Sequence, residues 1–350
     1  VSGRADRAER RNGTTVMAGQ DALLQAGVEP GLRFAAVLDG AGGCTDLDWR
    51  GVSDRRPTAG CLWIHLERDA PEAQDWVQHR AGIDPVFAEA LLAEDSRPRV
   101  EPCDNALLII LRGINLCERE SVELVPIHLW VEAWRIISLR DADHALSALR
   151  DIRIALQSGR GPRGVGGLLV QISEKIVRDL EDVLDEMDGK VERLEEEVMA
   201  RASVTLRQEL ADLRLRAIHL RRYLGPQREA LVRLHGEETT LLDRRDRLRL
   251  RSVIDRVIRF IEDLDAIRDR TTVLHQDLAA QITERIAQTS NRLTAVAALL
   301  LPPSLVAAML GANVGGIPGH DDPIAFLEMS AIMLVLMALQ WLILRRLGWL

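Results

Sequence analysis

Residues 293–312, LTAVAALLLPPSLVAAMLGA, contain no ionisable side chain, and residues 323–344, PIAFLEMSAIMLVLMALQWLIL, contain one, Glu328 near the start. Each stretch is long enough as a helix to cross a hydrocarbon core about 30 Å thick. Pro302 and Pro303 would break a soluble helix; in a membrane they are tolerated where a neighbouring helix or Ser304 satisfies the freed backbone groups. The connecting loop, NVGGIPGHDD, has no Lys or Arg, while Arg292, Arg345 and Arg346 flank the far ends. Positive charge stays inside, so the pattern predicts cytosolic termini and a short external loop. One hairpin of two helices is too small to enclose a pore, so passage through it needs several copies around a symmetry axis.

The rest of the chain is different in kind. The last sixty residues carry only Arg292, Asp321, Asp322, Glu328, Arg345 and Arg346, which sum to zero, so the formal charge of -8 belongs to residues 1–290. An acidic soluble region excludes nucleic acid as a partner and suits attracting cations. Cys44, Cys61, Cys103 and Cys117 form no CxxC pair, which predicts reduced, buried thiols. Cys61 and His65 share one face of a predicted strand, a weak two-ligand arrangement. GRGPRGVGG (159–167) has no Gly-Lys-Ser/Thr after it and reads as a loop. No nucleophile–base pair, cofactor loop or HExxH helix is found, so neither an enzyme nor a bound cofactor is expected. Residues 1–16 are polar with no apolar leader, and Met17 is a candidate start.

Four parts follow along the chain: a poorly ordered N-terminus (1–31), an α/β domain (32–165), a long-helix stalk with a helical hairpin (166–290), and a membrane hairpin (291–350). The runs LRFAAVLDG, CLWIHLE, ALLIILRGIN and LVPIHLWVEAWRIISLR read as strands. Segments 71–80 and 85–94 read as short helices, the first opening on Pro71. From Leu168 onward apolar residues recur at helical spacing, with breaks near Ala202–Ser203 and His235–Gly236. Residues 174–200 are strongly acidic and 201–251 rich in arginine, which predicts two long helices of opposite charge packed together, most of their charges on solvated faces. From Leu241 no breaker occurs before Pro302; one helix of that length spans on the order of 100 Å. Asp255, Glu262 and Asp269 recur every seven residues on this stalk. They line a cytosolic funnel, or they make ordinary ion pairs of the kind Arg259 offers Asp255 four residues on.

The first apolar stretch ends in Gly311-Ala312-Asn313 and continues as GANVGGIPG. A Gly-x-Asn at the outer end of the penultimate helix, two C-terminal spans and a long stalk together resemble the CorA superfamily of metal-ion transporters. The GGIPG extension is similar to its zinc-transporting ZntB branch. So are AVLDGAGGCTDLDW (36–49), LWIHL (62–66), EDSRPRVEP (94–102), LRGIN (111–115), RRYLGPQREAL (221–231) and FIEDLDAIRDR (260–270). The resemblance runs from about residue 32 to the end. It implies a homopentamer in the bacterial inner membrane, with first spans around a central pore and second spans facing lipid. The cargo would be zinc or another divalent cation.

Carried onto this sequence, Asn313 would set a ring of amides at the outer mouth, or else cap the helix. Gly311 would permit close backbone approach. Leu293, Ala297, Leu301 and Ser304, at steps of four, four and three, share a face. The resemblance turns that face to the pore; a packed helix interface is the alternative. Where the family often has an inner Asn, this chain has Ala287, with Asn291 one turn later. His320, Asp321 and Asp322 would concentrate cations at the mouth or simply be solvated. The rivals are a magnesium or cobalt channel of the same family, and a membrane-anchored coiled-coil scaffold that transports nothing.

Overall fold

The structure is a computed structural model, and it describes residues 29–52, 60–94, 97–115, 124–144, 146–200, 204–237, 239–311 and 324–346. The expected disordered N-terminus lies outside the described residues as far as residue 28, as does Cys117. Seven strands come first: β1 (Leu32–Leu38), β2 (Cys44–Leu47), β3 (Cys61–Glu67), then helices α1 (Pro71–His79) and α2 (Pro85–Leu92), then β4 (Arg99–Cys103), β5 (Ala106–Ile114), β6 (Leu124–Glu132) and β7 (Arg135–Arg140). Helices α3 (Ser147–Gln157), α4 (Val165–Ala200), α5 (Val204–Gly236), α6 (Arg244–Gly311) and α7 (Ala325–Arg346) complete the chain. This is a mixed-sheet N-terminal domain followed by long helices, two of which have stretches apolar enough to cross a membrane.

The strands form one sheet in the order β2-β1-β3-β7-β6-β5-β4. Only β3 and β7 pair in parallel, with Ile64 opposite Ile137. β5 is buried along its whole length, as befits a strand covered on both faces. Ile64, Leu66, Leu108, Ile110, Ile137 and Leu139 pack one sheet face against Trp76, Val77 and Leu91 from α1 and α2. Pro71 and Pro85 open those helices, and the Asp84 carboxylate accepts the Val86 amide at 2.9 Å. The opposite face carries a polar cluster. The Ser138 hydroxyl accepts from Trp63 Nε1 at 3.0 Å and lies 2.9 Å from His65 Nδ1, while His65 Nε2 accepts from Arg140 Nε at 3.2 Å. Both His65 nitrogens are therefore occupied, and Cys61 with His65 forms no open ligand pair. Burial pushes the Cys61 thiol up to about 12, while Cys44 and Cys103 are only half-buried, contrary to expectation.

Other sequence readings are also corrected. LVPIHLWVEAWRIISLR is a hairpin, not one strand, because Ala133 and Trp134 turn the chain between β6 and β7. The 159–167 loop ends early: Val165 already begins α4. A Cβ at Gly166 would lie 2.2 Å from the Leu241 carbonyl oxygen, so that contact requires glycine. The acidic helix α4 sends ion pairs to α6: Glu174 with Arg249 at 2.6 Å and Asp188 with Arg270 at 2.7 Å. The arginine-rich α5 does likewise through Arg221 and Asp265 at 3.3 Å.

Two compact units emerge, one reaching Arg193 and resuming over Leu210–Thr271, the other holding Leu194–Glu209 and everything from Thr272. In the first, α5 buries Leu210, Leu213, Ala217, Leu220, Leu224, Gln227, Leu231 and Leu234. Those alternating steps of three and four are a coiled-coil seam.

Candidate functional site

Helix α6 carries the residues of interest. Asp255, Glu262 and Asp269 lie on it in the first unit, and all three are exposed. Asp269 pairs with adjacent Arg268 at 2.9 Å, whereas no ion pair among the described residues joins Asp255 to Arg259. Burial raises the nearby Asp263 carboxyl, and the charges of Asp188, Glu262 and Asp185 add to that rise. Arg259 opposes that rise, and Arg270 pairs with Asp188 at 2.7 Å, so arginines of the chain itself already face these carboxylates.

Continued at the same step of seven, α6 presents Gln276, Thr283, Ser290, Ala297, Ser304 and Gly311, each exposed. From Gln276 to Gly311, all in the second unit, the side chains are an amide, two hydroxyls, a methyl, a hydroxyl and glycine, and each step of seven turns about 20° around the helix. Sequence reasoning did not reach Gln276, Thr283 and Ser290. Singly they are ordinary stalk residues, and only the continued step connects them. Thr283 donates its hydroxyl proton to the Ala279 carbonyl and Ser304 donates to Leu301, both at 2.9 Å. With their protons turned inward, both oxygens remain acceptors towards the outside.

The hairpin of the second unit has a definite inner face. On α6, Ala295 and Pro303 are buried and Ala298, Leu299 and Val306 half-buried. On α7 the half-buried positions include Met333, Met337, Gln340 and Leu344, again at steps of three and four. Gln340 Nε2 donates to the Ala298 carbonyl at 3.4 Å, which identifies α7 as what α6 packs against here. Leu293 and Leu301 are 68% and 65% exposed, and Ala297 and Ser304 are exposed too. At about 100° per residue, these four point roughly opposite the packed face. Within one chain, the face expected to line a pore is therefore left uncovered. No residue in the apolar window of α7 is buried within the chain.

Gly311 is the last residue of α6. Asn313, His320, Asp321 and Asp322 lie outside the described residues. A different group, absent from the sequence reading, brings ligand atoms of Asp141, Asp143 and His144 within 4.8 Å of one another. Arg68 Nε already holds Asp141 at 2.5 Å, and Asp143 is exposed, so that group is balanced by an arginine rather than open to an ion.

Comparison with known proteins matches residues 58–346 to the family described as CorA-like Mg2+ transporter protein. The chain is 32% identical over 308 residues to the zinc transport protein ZntB of Pectobacterium carotovorum subsp. carotovorum (strain PC1), covering 87% of this chain and 92% of that one. It is 33% identical over 332 residues to the divalent cation transporter CmaX of Pseudomonas aeruginosa, covering 93% and 99%. The solved structure of full-length CmaX superposes with a TM-score of 0.79 at 31% identity, covering 93% of this chain and all of that one. The likeness spans the sheet, the long helices and both apolar stretches alike, and the chain belongs to the CorA-like Mg2+ transporter protein family.

Proposed function

We propose that this protein carries divalent metal ions across the bacterial inner membrane, with zinc preferred, through the axis of a homopentamer. One observation carries the reading: within the second unit, Leu293, Ala297, Leu301 and Ser304 are exposed on the face of α6 opposite the one packed on α7. Carboxylates at Asp255, Glu262 and Asp269 gather cations in a cytosolic funnel. Gln276, Thr283, Ser290 and Ser304 offer acceptors that support a hydrated ion without trapping it, as conduction requires. Leu293 and Leu301 supply dry constrictions between them, with Ala297 leaving room. Gly311 ends the helix, and Asn313 sets the amide ring at the mouth, fed by His320, Asp321 and Asp322 in the outer loop. Residues 32–290 and both termini lie in the cytosol, and 291–350 form the membrane part. Neither catalysis nor a resident cofactor is involved; the metal is cargo.

The zinc preference rests on the ZntB relatives and the GGIPG extension. The family description, which names magnesium, supports the second reading of a magnesium channel. Purified protein in liposomes decides between them. Zinc uptake should exceed magnesium uptake at equal concentration; the reverse order overturns the preference, and passage of neither overturns transport and leaves the scaffold reading. Native mass spectrometry in detergent should give a pentamer, and a monomer or dimer as the sole species removes the pore.

A further inference from the structure

A helix amide reaches back four residues for its carbonyl. Pro302 and Pro303 have no amide hydrogen, so the carbonyls of Ala298 and Leu299 lose their usual donors. In an apolar surrounding water does not replace them. Apart from the indole of Trp341, Gln340 is the only polar side chain of α7 between Ser330 and Arg345, and its Nε2 donates to Ala298, the carbonyl that Pro302 frees. Its Oε1 is buried without a partner among the described residues. An unpaired amide oxygen is unfavourable there. An apolar residue would serve better if position 340 only had to fill space, so the amide is kept for its donor. Only Nε2 can serve a carbonyl, which fixes the orientation of the amide.

We propose that Gln340 is a positioning residue of the transport path: it holds the Ala298 carbonyl released by Pro302 and so sets the rotation of α6 that turns Leu301 and Ser304 away from α7. Ser304 does not take this role, because its hydroxyl donates to Leu301. The effect on flux rests on the proposed transport reading; the effect on hairpin stability does not.

The test is a double-mutant cycle in the full-length protein: wild type, Gln340→Met, Pro302→Ala and the double variant, each measured for zinc flux in liposomes and thermal midpoint in detergent. Gln340→Met keeps the volume and removes the donor. In the Pro302 background it should lower flux about threefold, the worth of a typical interhelical hydrogen bond in a membrane, and lower the midpoint. In the Pro302→Ala background the helix regains its own amide donor, and the same change should have no effect on either readout. Equal losses in both backgrounds overturn the proposal, because Gln340 would then merely pack. No loss in the Pro302 background overturns it as well. If Gln340→Met fails to assemble, assembly restored in the double variant supports the proposal, and failure of both overturns it. Wild-type liposomes that pass no zinc refute the transport reading, and the midpoint cycle then still decides for Gln340.

Discussion

The first and second units use apolar side chains in opposite ways. In the first, Ile64, Leu108, Ile110 and Ile137 are all 0% exposed. In the second, Leu301, Leu305 and Met309 are each more than 60% exposed, although the stretch around them is the more apolar. The first unit completes its core from its own chain. The second leaves apolar surface far beyond what a water-soluble monomer exposes, so its completion comes from outside the single chain. Burial within one chain is thus a measure of stability in the first unit and a map of missing neighbours in the second.

The contrast can be broken most sharply at the mouth. If the proposed amide ring contacts the hydrated ion, Asn313→Leu should abolish zinc flux while leaving the proposed pentamer assembled. Asn313→Asp should retain some flux that becomes pH-dependent, because carboxylates around one axis raise one another's pKa. If Asn313 is only a cap, the order reverses: Asp keeps flux and Leu lowers assembly. Flux and pentamer yield for both variants separate the readings, and normal flux from assembled Asn313→Leu sinks the amide ring.

Paired truncations, one in the core and one on an exposed apolar face, come next. Ile110→Ala, in the first unit, should cost about 3 kcal/mol by removing packed methyl groups. Leu300→Ala, at a position 55% exposed, should change detergent-phase stability by no more than about 0.5 kcal/mol. Denaturant titration of the two proteins measures the difference, and equal costs would erase the distinction drawn above.

The first unit should also be acid-sensitive through His128. Burial, opposed by the hydrogen bond from its Nδ1 to the Leu91 carbonyl, lowers this imidazole to about 4. The unfolded chain, near 6.5, therefore binds the proton more readily. Stability is complete above about pH 6.5 and falls as pH drops towards 4, by about 1.4 kcal/mol per unit. Between pH 7 and 5 the loss from His128 is about 2 kcal/mol by the same slope. His128→Asn should flatten that acid limb; an unchanged pH profile refutes the assignment.

The smallest effect belongs to the funnel. Asp255→Asn, Glu262→Gln and Asp269→Asn together should lower zinc flux about threefold at low ionic strength and hardly at all at high salt, because exposed charges are screened. A loss independent of salt would mean that these carboxylates bind the ion directly.

Much of this was visible in the sequence. The ALLII run of β5 was legible because a strand buried on both faces is apolar without a break. β2 and β4 were not: CTDL and RVEPC are partly exposed edge strands with mixed composition. β6 and β7 merged in the reading because their turn, Ala133–Trp134, contains neither glycine nor proline. Helix α3 escaped notice because Leu146 provides no side-chain cap. At the candidate site, Gly311 and the acidic repeat announced themselves by residue type. Gln340 did not, since its meaning depends on a carbonyl 42 residues away.

The parallel pairing of β3 with β7 also sets a schedule for synthesis. The sheet cannot close until β7, ending at Arg140, has left the ribosome. The first apolar stretch starts at Leu293, 153 residues after Arg140 (293 − 140). At typical elongation rates that interval lasts about 8 to 30 s, longer than a mixed domain of this kind needs to fold. The sheet domain therefore has time to take its shape before either apolar stretch is made, and whatever receives those stretches meets them already joined to a folded domain.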